Sequence, residues 1–240
     1  MKIVRTFITM LMLLCIFTSN AATPAGRSAN STKEYKVRSF SSVRAYNSID
    51  IRFSQSNKNK VVVNASHESL LYLKVEVDNG TLSLYFDPPK NYRGNLKADV
   101  EMSAPTLNTI SIYNGCEFEV VTPFNGDNLY IEAFNNADVE FKKSVDLHAL
   151  SIKAYNSGEV DFSTLKADTV DCEAYNSAEI ELAGSAYEVS MDVFNSGVID
   201  ASHLSAKTGT AKAYNSGQIK CNIDRIKTDT YNSGKISNGY

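Results

Sequence analysis

Leu150-Ser151-Ile152-Lys153-Ala154-Tyr155-Asn156-Ser157-Gly158-Glu159-Val160-Asp161-Phe162 reads as two short strands meeting at one corner. Apolar Leu150, Ile152 and Ala154 alternate with Ser151 and Lys153, and Val160 and Phe162 alternate with Glu159 and Asp161. A period of two marks a strand with one buried face. Between the strands stand Asn and Gly, the residues that tolerate positive φ most cheaply, as a sharp corner requires. Outward from this stretch the same phrase returns: an aromatic residue followed by Asn stands at Tyr46, Tyr113, Phe134, Tyr155, Tyr175, Phe194, Tyr214 and Tyr231. From Tyr113 the steps are 21, 21, 20, 19, 20 and 17 residues, a period that signals a repeat architecture.

Two apolar columns accompany the repeat. Five residues after each aromatic come Ile51, Phe118, Val139, Val160, Ile180, Ile199, Ile219 and Ile236, and three before stand Ile110, Ile131, Ile152, Cys172 and Met191. Both are expected to face one core. Leucine-rich and helical repeats need a helix for which these repeats have no room, and a propeller blade takes about twice the period. The pattern predicts an all-β, single-stranded parallel β-helix, a solenoid of about 20-residue coils. At about 4.8 Å per coil, the six steps from Tyr113 to Tyr231 span roughly 29 Å.

Before the repeats, strands are expected at Asp50–Phe53, Val61–Asn64, Val75–Val77 and Thr81–Phe86, with a hairpin at Asp78-Asn79-Gly80 and a helical turn from His67. This makes residues 35–107 a β-rich, irregular N-terminal cap with the first coils, and residues 108–240 the regular β-helix. A cap keeps an open coil edge from stacking without limit.

Lys2 and Arg5 precede an apolar run from Phe7 to Phe17, and Ser19 and Ala21 suit signal-peptidase cleavage. The expectation is a signal peptide over 1–22, a flexible lead over 23–34, no lasting membrane anchor, and export to the periplasm, outer surface or medium. Removing Lys2 and Arg5 leaves 22 basic against 27 acidic residues, a net charge of −5. That disfavours nucleic acid as a partner. The three remaining cysteines, Cys116, Cys172 and Cys221, form no CxxC pair, which argues against a disulfide framework or a zinc site.

The stretches Phe40-Ser-Ser-Val-Arg-Ala-Tyr46-Asn-Ser-Ile-Asp-Ile-Arg-Phe-Ser-Gln55 and Val75-Glu-Val-Asp-Asn-Gly-Thr-Leu-Ser-Leu84, with the Asn-Ser-Gly-Glu-Val type of repeat, resemble the family of auto-transporter adhesins with a head GIN domain. The similarity covers roughly Tyr35 to Cys221. It implies a right-handed parallel β-helix and export, and carries no catalytic motif.

Two columns are the candidate sites. The aromatics Tyr113, Phe134, Tyr155, Tyr175, Phe194 and Tyr214 are expected to face outward, either as a surface for sugars or as rings that stack and shield the corners. Asn114, Asn135, Asn156, Asn176, Asn195 and Asn215, extended by Asn47 and Asn232, are expected to form a structural amide ladder, if inward. Acids also repeat: Glu117, Asp138, Glu159 and Glu179 four after the aromatics, and Glu119, Glu140, Asp161, Glu181 and Asp200 six after. A catalytic pair would be one local exception, whereas such columns describe an exposed strand face; calcium bridging is the alternative. His67, His148 and His203 share no column. No catalytic residue, metal ligand or cofactor is therefore expected. The reading is a non-catalytic binding or adhesion protein for a glycan, matrix or protein ligand of the exterior or envelope; a carbohydrate-active enzyme and a purely structural envelope protein are the alternatives.

Overall fold

The computed structural model describes residues 30–239. The expected signal peptide and residues 23–29 of the lead lie outside the described residues. In chain order the elements are β1 (Asn30–Tyr35), β2 (Ser42–Tyr46), β3 (Ile49–Gln55), β4 (Lys60–Ser66), α1 (His67–Tyr72), β5 (Leu73–Asp78), β6 (Thr81–Phe86), β7 (Ala98–Ala104), β8 (Thr109–Tyr113), β9 (Glu117–Val120), β10 (Phe124–Asn125) and β11 (Asn128–Phe134). Five long, bent strands follow: β12 (Asp138–Tyr155), β13 (Glu159–Tyr175), β14 (Glu179–Phe194), β15 (Val198–Tyr214) and β16 (Gln218–Tyr231), with β17 (Lys235–Asn238) as a final half-coil.

Each corner follows from local chemistry. Asn47, Asn114, Asn135, Asn156, Asn176, Asn195, Asn215 and Asn232 all have positive φ, between 50° and 64°. At four corners, those of Tyr155, Tyr175, Phe194 and Tyr231, the aromatic carbonyl accepts twice: Tyr155 O takes the Gly158 N–H of its own turn at 3.0 Å and the Asn135 N–H of the preceding coil at 3.2 Å. Three residues after the aromatic the chain passes close beneath its neighbour. A Cβ at Gly158 would lie 2.5 Å from Ala133 O, and the small residues Ala137, Ala178, Gly197, Gly217 and Gly234 take the same place in other coils.

Corners stack in register. Ile131, Ile152 and Cys172 are consecutive partners, as are Val139, Val160 and Ile180, all parallel, so the solenoid expected from the repeat is present. Its period varies at one place only. From β12 onward the pairing offset changes between Phe141 and Ser144, Phe162 and Leu165, Glu181 and Ala183, and Ala201 and Ser205. These are all the first corner after the Asn turn; insertions and deletions collect there because the Asn corner is tied to its neighbours.

The core is one continuous cluster that thins toward the C-terminus. One buried column runs Val120, Phe141, Phe162, Leu182, Ala201, Cys221, and another runs Ile110, Ile131, Ile152, Cys172, Met191, Ala211. Phe141 and Phe162 stack at 4.2 Å. Smaller inward residues bury less apolar area per coil.

The N-terminal segment departs from the expectation at its start. Residues 30–34, expected as part of a flexible lead, belong to β1, which pairs antiparallel with β4. The 67 residues from Asn47 to Asn114 are an excursion that doubles back. β2 is flanked by parallel β6 and β8, and β3 by parallel β7 and β9, so β6 and β7 form a coil on the far side of β2–β3. The loop between β6 and β7, with Pro88 and Pro89, replaces the Asn corner. Beyond that coil the sheets continue into antiparallel partners, β5 on β6, and β4 on β7 with β1 outermost. Ser66 caps α1, its hydroxyl accepting from Ser69 N at 3.1 Å.

Candidate functional site

The Asn column forms a ladder of side-chain amides. Asn114, Asn135, Asn156, Asn176, Asn195, Asn215 and Asn232 each donate Nδ2 to Oδ1 of the Asn one coil before, at 2.5–3.1 Å. The amides lie at the solvent-facing rim of the corner, half-buried at Asn135 and Asn156 and exposed elsewhere, rather than inside the coil. Positive φ turns the side chain outward along the stack, and the chain's small turn residues fill the inside.

Beside the amides runs the aromatic column. Tyr155, Tyr175, Phe194, Tyr214 and Tyr231 stack face to face, with centroids 4.6–4.8 Å apart and planes within 11°. Tyr46 and Tyr113 form a second such pair, and tilted Phe134 separates the two runs at 6.3 Å and 5.6 Å. Within these runs the ring faces cover one another, so the column offers ring edges and hydroxyls to solvent. Only the last ring, Tyr231, is strongly exposed, at 48%. Hydroxyls divide into two kinds. Tyr113 donates to Glu132, and Tyr175 to Glu173 at 2.7 Å; the phenol of Tyr113 is pushed up to about 12 by burial and then by that bond. The Tyr155 and Tyr214 hydroxyls have no side-chain partner among the described residues.

Two charged rows lie on the adjoining faces. After the corner, Glu117, Asp138, Glu159 and Glu179 are direct neighbours, and so are Glu119, Glu140, Asp161, Glu181 and Asp200. Burial, then Glu159 and Glu117, pushes Asp138 up to about 6, and burial followed by Glu181 raises Asp161 and Glu179. Bases close the second row at its ends: Arg52 lies 3.3 Å from Glu119 and Lys220 2.8 Å from Asp200. Lys142 bridges Glu119 and Glu140. Before the corner, signs mix instead. Lys153 pairs with Glu173 at 2.9 Å and is half-buried, so it is a bridging residue rather than a plain exposed one.

None of these groups converges on a reaction centre. His148 meets Asp168 at 2.8 Å on an exposed surface. Cys116, Cys172 and Cys221 are free and buried; burial raises the Cys116 thiol to about 11 and also raises the other two, away from thiolate chemistry. Among the described residues no three His, Cys, Asp or Glu side chains are grouped as a metal would require, and no helix is long and apolar enough to cross a membrane. The bases that close the acid row were not anticipated from sequence, whereas the column of Ala and Gly three after each aromatic from Phe134 on was there to be read.

Residues 39–239 match the family described as "Putative auto-transporter adhesin, head GIN domain", so the match extends past Cys221 into the last coil. The chain is similar to the solved structure of a "putative adhesin" from Parabacteroides merdae at 19% identity, over 90% of this chain and 98% of that one, with a TM-score of 0.76. A "Putative lipid binding protein" from Parabacteroides distasonis is 22% identical over 90% and 98% of the two chains, with a TM-score of 0.77. A "putative adhesin" from Bacteroides fragilis is 23% identical over 88% and 98%, with a TM-score of 0.75. At such identities the likeness establishes the fold. No curated protein matches the chain.

Proposed function

This chain belongs to the auto-transporter adhesin, head GIN domain family, and from that premise we propose that it is an exported, non-catalytic binding protein that presents its Asn–aromatic corner to a glycan or protein ligand of the cell exterior or envelope. One observation carries the reading: amides and ring edges repeat in register along the stack, so any contact made by one coil is available again about 4.8 Å further on. Repeated weak contacts on a rigid support add up to useful avidity.

Stacking narrows the mode of contact. With faces covered, a sugar has no ring to lie on along the column, and recognition falls to the Asn amides, the ring edges and the free hydroxyls of Tyr155 and Tyr214. The lipid binding ascribed to the Parabacteroides distasonis neighbour has less support, because the exposed large apolar residues Leu71, Tyr187 and Tyr231 sit on separate elements.

The test is a glycan array and immobilised matrix proteins probed with the mature chain and with Tyr155→Phe/Tyr214→Phe. This variant keeps the stack and removes two hydroxyls, so its melting temperature should match wild type while affinity for the ligand found drops at least tenfold. Equal affinity would take the corner out of the binding surface. Absence of binding to every glycan and matrix protein would overturn the reading.

A further inference from the structure

The last described coil leaves part of one edge without a partner strand among the described residues. Along Thr208–Tyr214 of β15, β16 is paired on one side. On its other side β17 covers only Gln218–Cys221, and the Asn238 side chain satisfies Ile223 N and O at 2.8 Å and 2.9 Å. No described strand pairs with the outer edge of residues 225–231. A bare edge of this kind is a template for another strand.

Side chains along this edge alternate. Partnered with Lys212 and Tyr214, Asp229 and Tyr231 point outward with Arg225 and Lys227, while Ile226, Thr228 and Thr230 continue the inward columns of Gly209, Ala211 and Ala213. Asp224 is engaged by Lys207, but Arg225, Lys227 and Asp229 have no ion-pair partner among the described residues.

We propose that two copies of the chain pair end to end through this edge, antiparallel, about a two-fold axis at Thr228. In that register Lys227 of each copy faces Asp229 of the other. Arg225 faces Tyr231, whose outer ring face is open and receptive to a guanidinium. Inside, Thr228 meets Thr228 and Ile226 meets Thr230, so hydroxyl lies beside hydroxyl and each isoleucine gains cover. The neighbouring registers lack this fit: centring on Lys227 sets it against itself, centring on Asp229 does the same with acids, and centring between residues opposes outward to inward side chains. Such a contact is isologous and closes at two copies. It would present two aromatic columns on one longer rod.

Sedimentation equilibrium of the mature chain should show a dimer. Lys227→Asp, which faces acid with acid, should weaken the dimer at least tenfold, and Lys227→Asp/Asp229→Lys should restore it; these positions are exposed, so the melting curves of diluted monomers should coincide. Thr228→Cys should give a covalent dimer on mild oxidation, since opposed Cα atoms in antiparallel strands lie about 4.5–5.5 Å apart, within disulfide reach, and the native cysteines are buried. A wild-type chain that stays monomeric at about 1 mM, a dimer indifferent to Lys227→Asp, or a Thr228→Cys chain that oxidises without cross-linking would each overturn the proposal.

Discussion

The two ends of the stack are finished by different means. At the N-terminal end an excursion of the chain lays β6 and β7 over the first Asn corner and then turns direction, so that β5 and β4 run antiparallel to what they cover. At the C-terminal end the coils simply become thinner and more polar, with Thr228 and Thr230 where earlier coils have Ile, Cys, Met, Val or Ala. One end is covered through a change of topology, while the other keeps an edge that is unpaired among the described residues and is only made more polar. The lesson is that a residue's column does not set its energetic weight; its distance from the open end does.

Placing aspartate at three points of one column tests this most severely. Ile51 and Val160 are fully buried, whereas Ile236 is only partly so. Ile51→Asp and Val160→Asp should each lose several kcal/mol, the scale of an unpaired buried carboxylate, while Ile236→Asp should lose about 1 kcal/mol. Denaturant titration reads the difference. An Ile51→Asp variant as stable as Ile236→Asp would show that the N-terminal end is as open as the other.

The amide ladder gives a smaller contrast. Asn156 donates to one neighbour and accepts from another, whereas Asn232 has one such bond. Asn156→Ala loses both and places a Cβ-bearing residue at φ 50° without a local amide, for a cost of about 2–3 kcal/mol. Asn232→Ala should cost about half as much. Asn156→Gly should recover the backbone share alone; a Gly variant no better than Ala would mean that the hydrogen bonds carry the whole effect.

The smallest effect is in pH. Asp138, pushed up to about 6 by burial and by its acidic neighbours, holds a proton in the fold that the unfolded chain has released. Its ionisation therefore lowers stability above that pH, and the loss is relieved as pH falls toward the unfolded value near 4. Glu173 and Asp200 act in the opposite sense. Burial pushes both up, but Tyr175 with Lys153, and Lys220 with Ser202, hold them below their ordinary values. Their contribution is full above the unfolded value and lost only as pH falls through the lower folded one. Melting temperature should rise by a few degrees from about pH 7.5 to about pH 5 and then fall. Asp138→Asn should flatten the rise; a steady decline over that interval would contradict the raised acid row.

Much of the repeat was legible because a solenoid writes the same contact many times. The columns led by Ile152 and Val160 needed only a period and an alternation, and both are buried as read. The excursion was not legible in the same way. β7 reads Ala98-Asp99-Val100-Glu101-Met102, an ordinary alternating strand, and nothing local says that it must lie parallel to β3 and antiparallel to β4. Side-chain partners were also hidden. Lys153 looked like an exposed position until Glu173 came within 2.9 Å, and the aromatic column could stack or splay with the same spacing. Rotamers decide such matters, and a repeat does not encode them.

Restricting period variation to the first corner after the Asn turn has a consequence for how such a gene can change. Because every Asn corner meets its neighbours in the same way, excising the stretch 156–175 joins Tyr155 to Asn176 and reproduces an existing junction. The rod shortens by one layer, about 4.8 Å, with every column intact. Duplication lengthens it by the same quantum. Rod length is thus a heritable quantity that recombination between repeats can adjust in discrete steps, with the backbone register of every column kept.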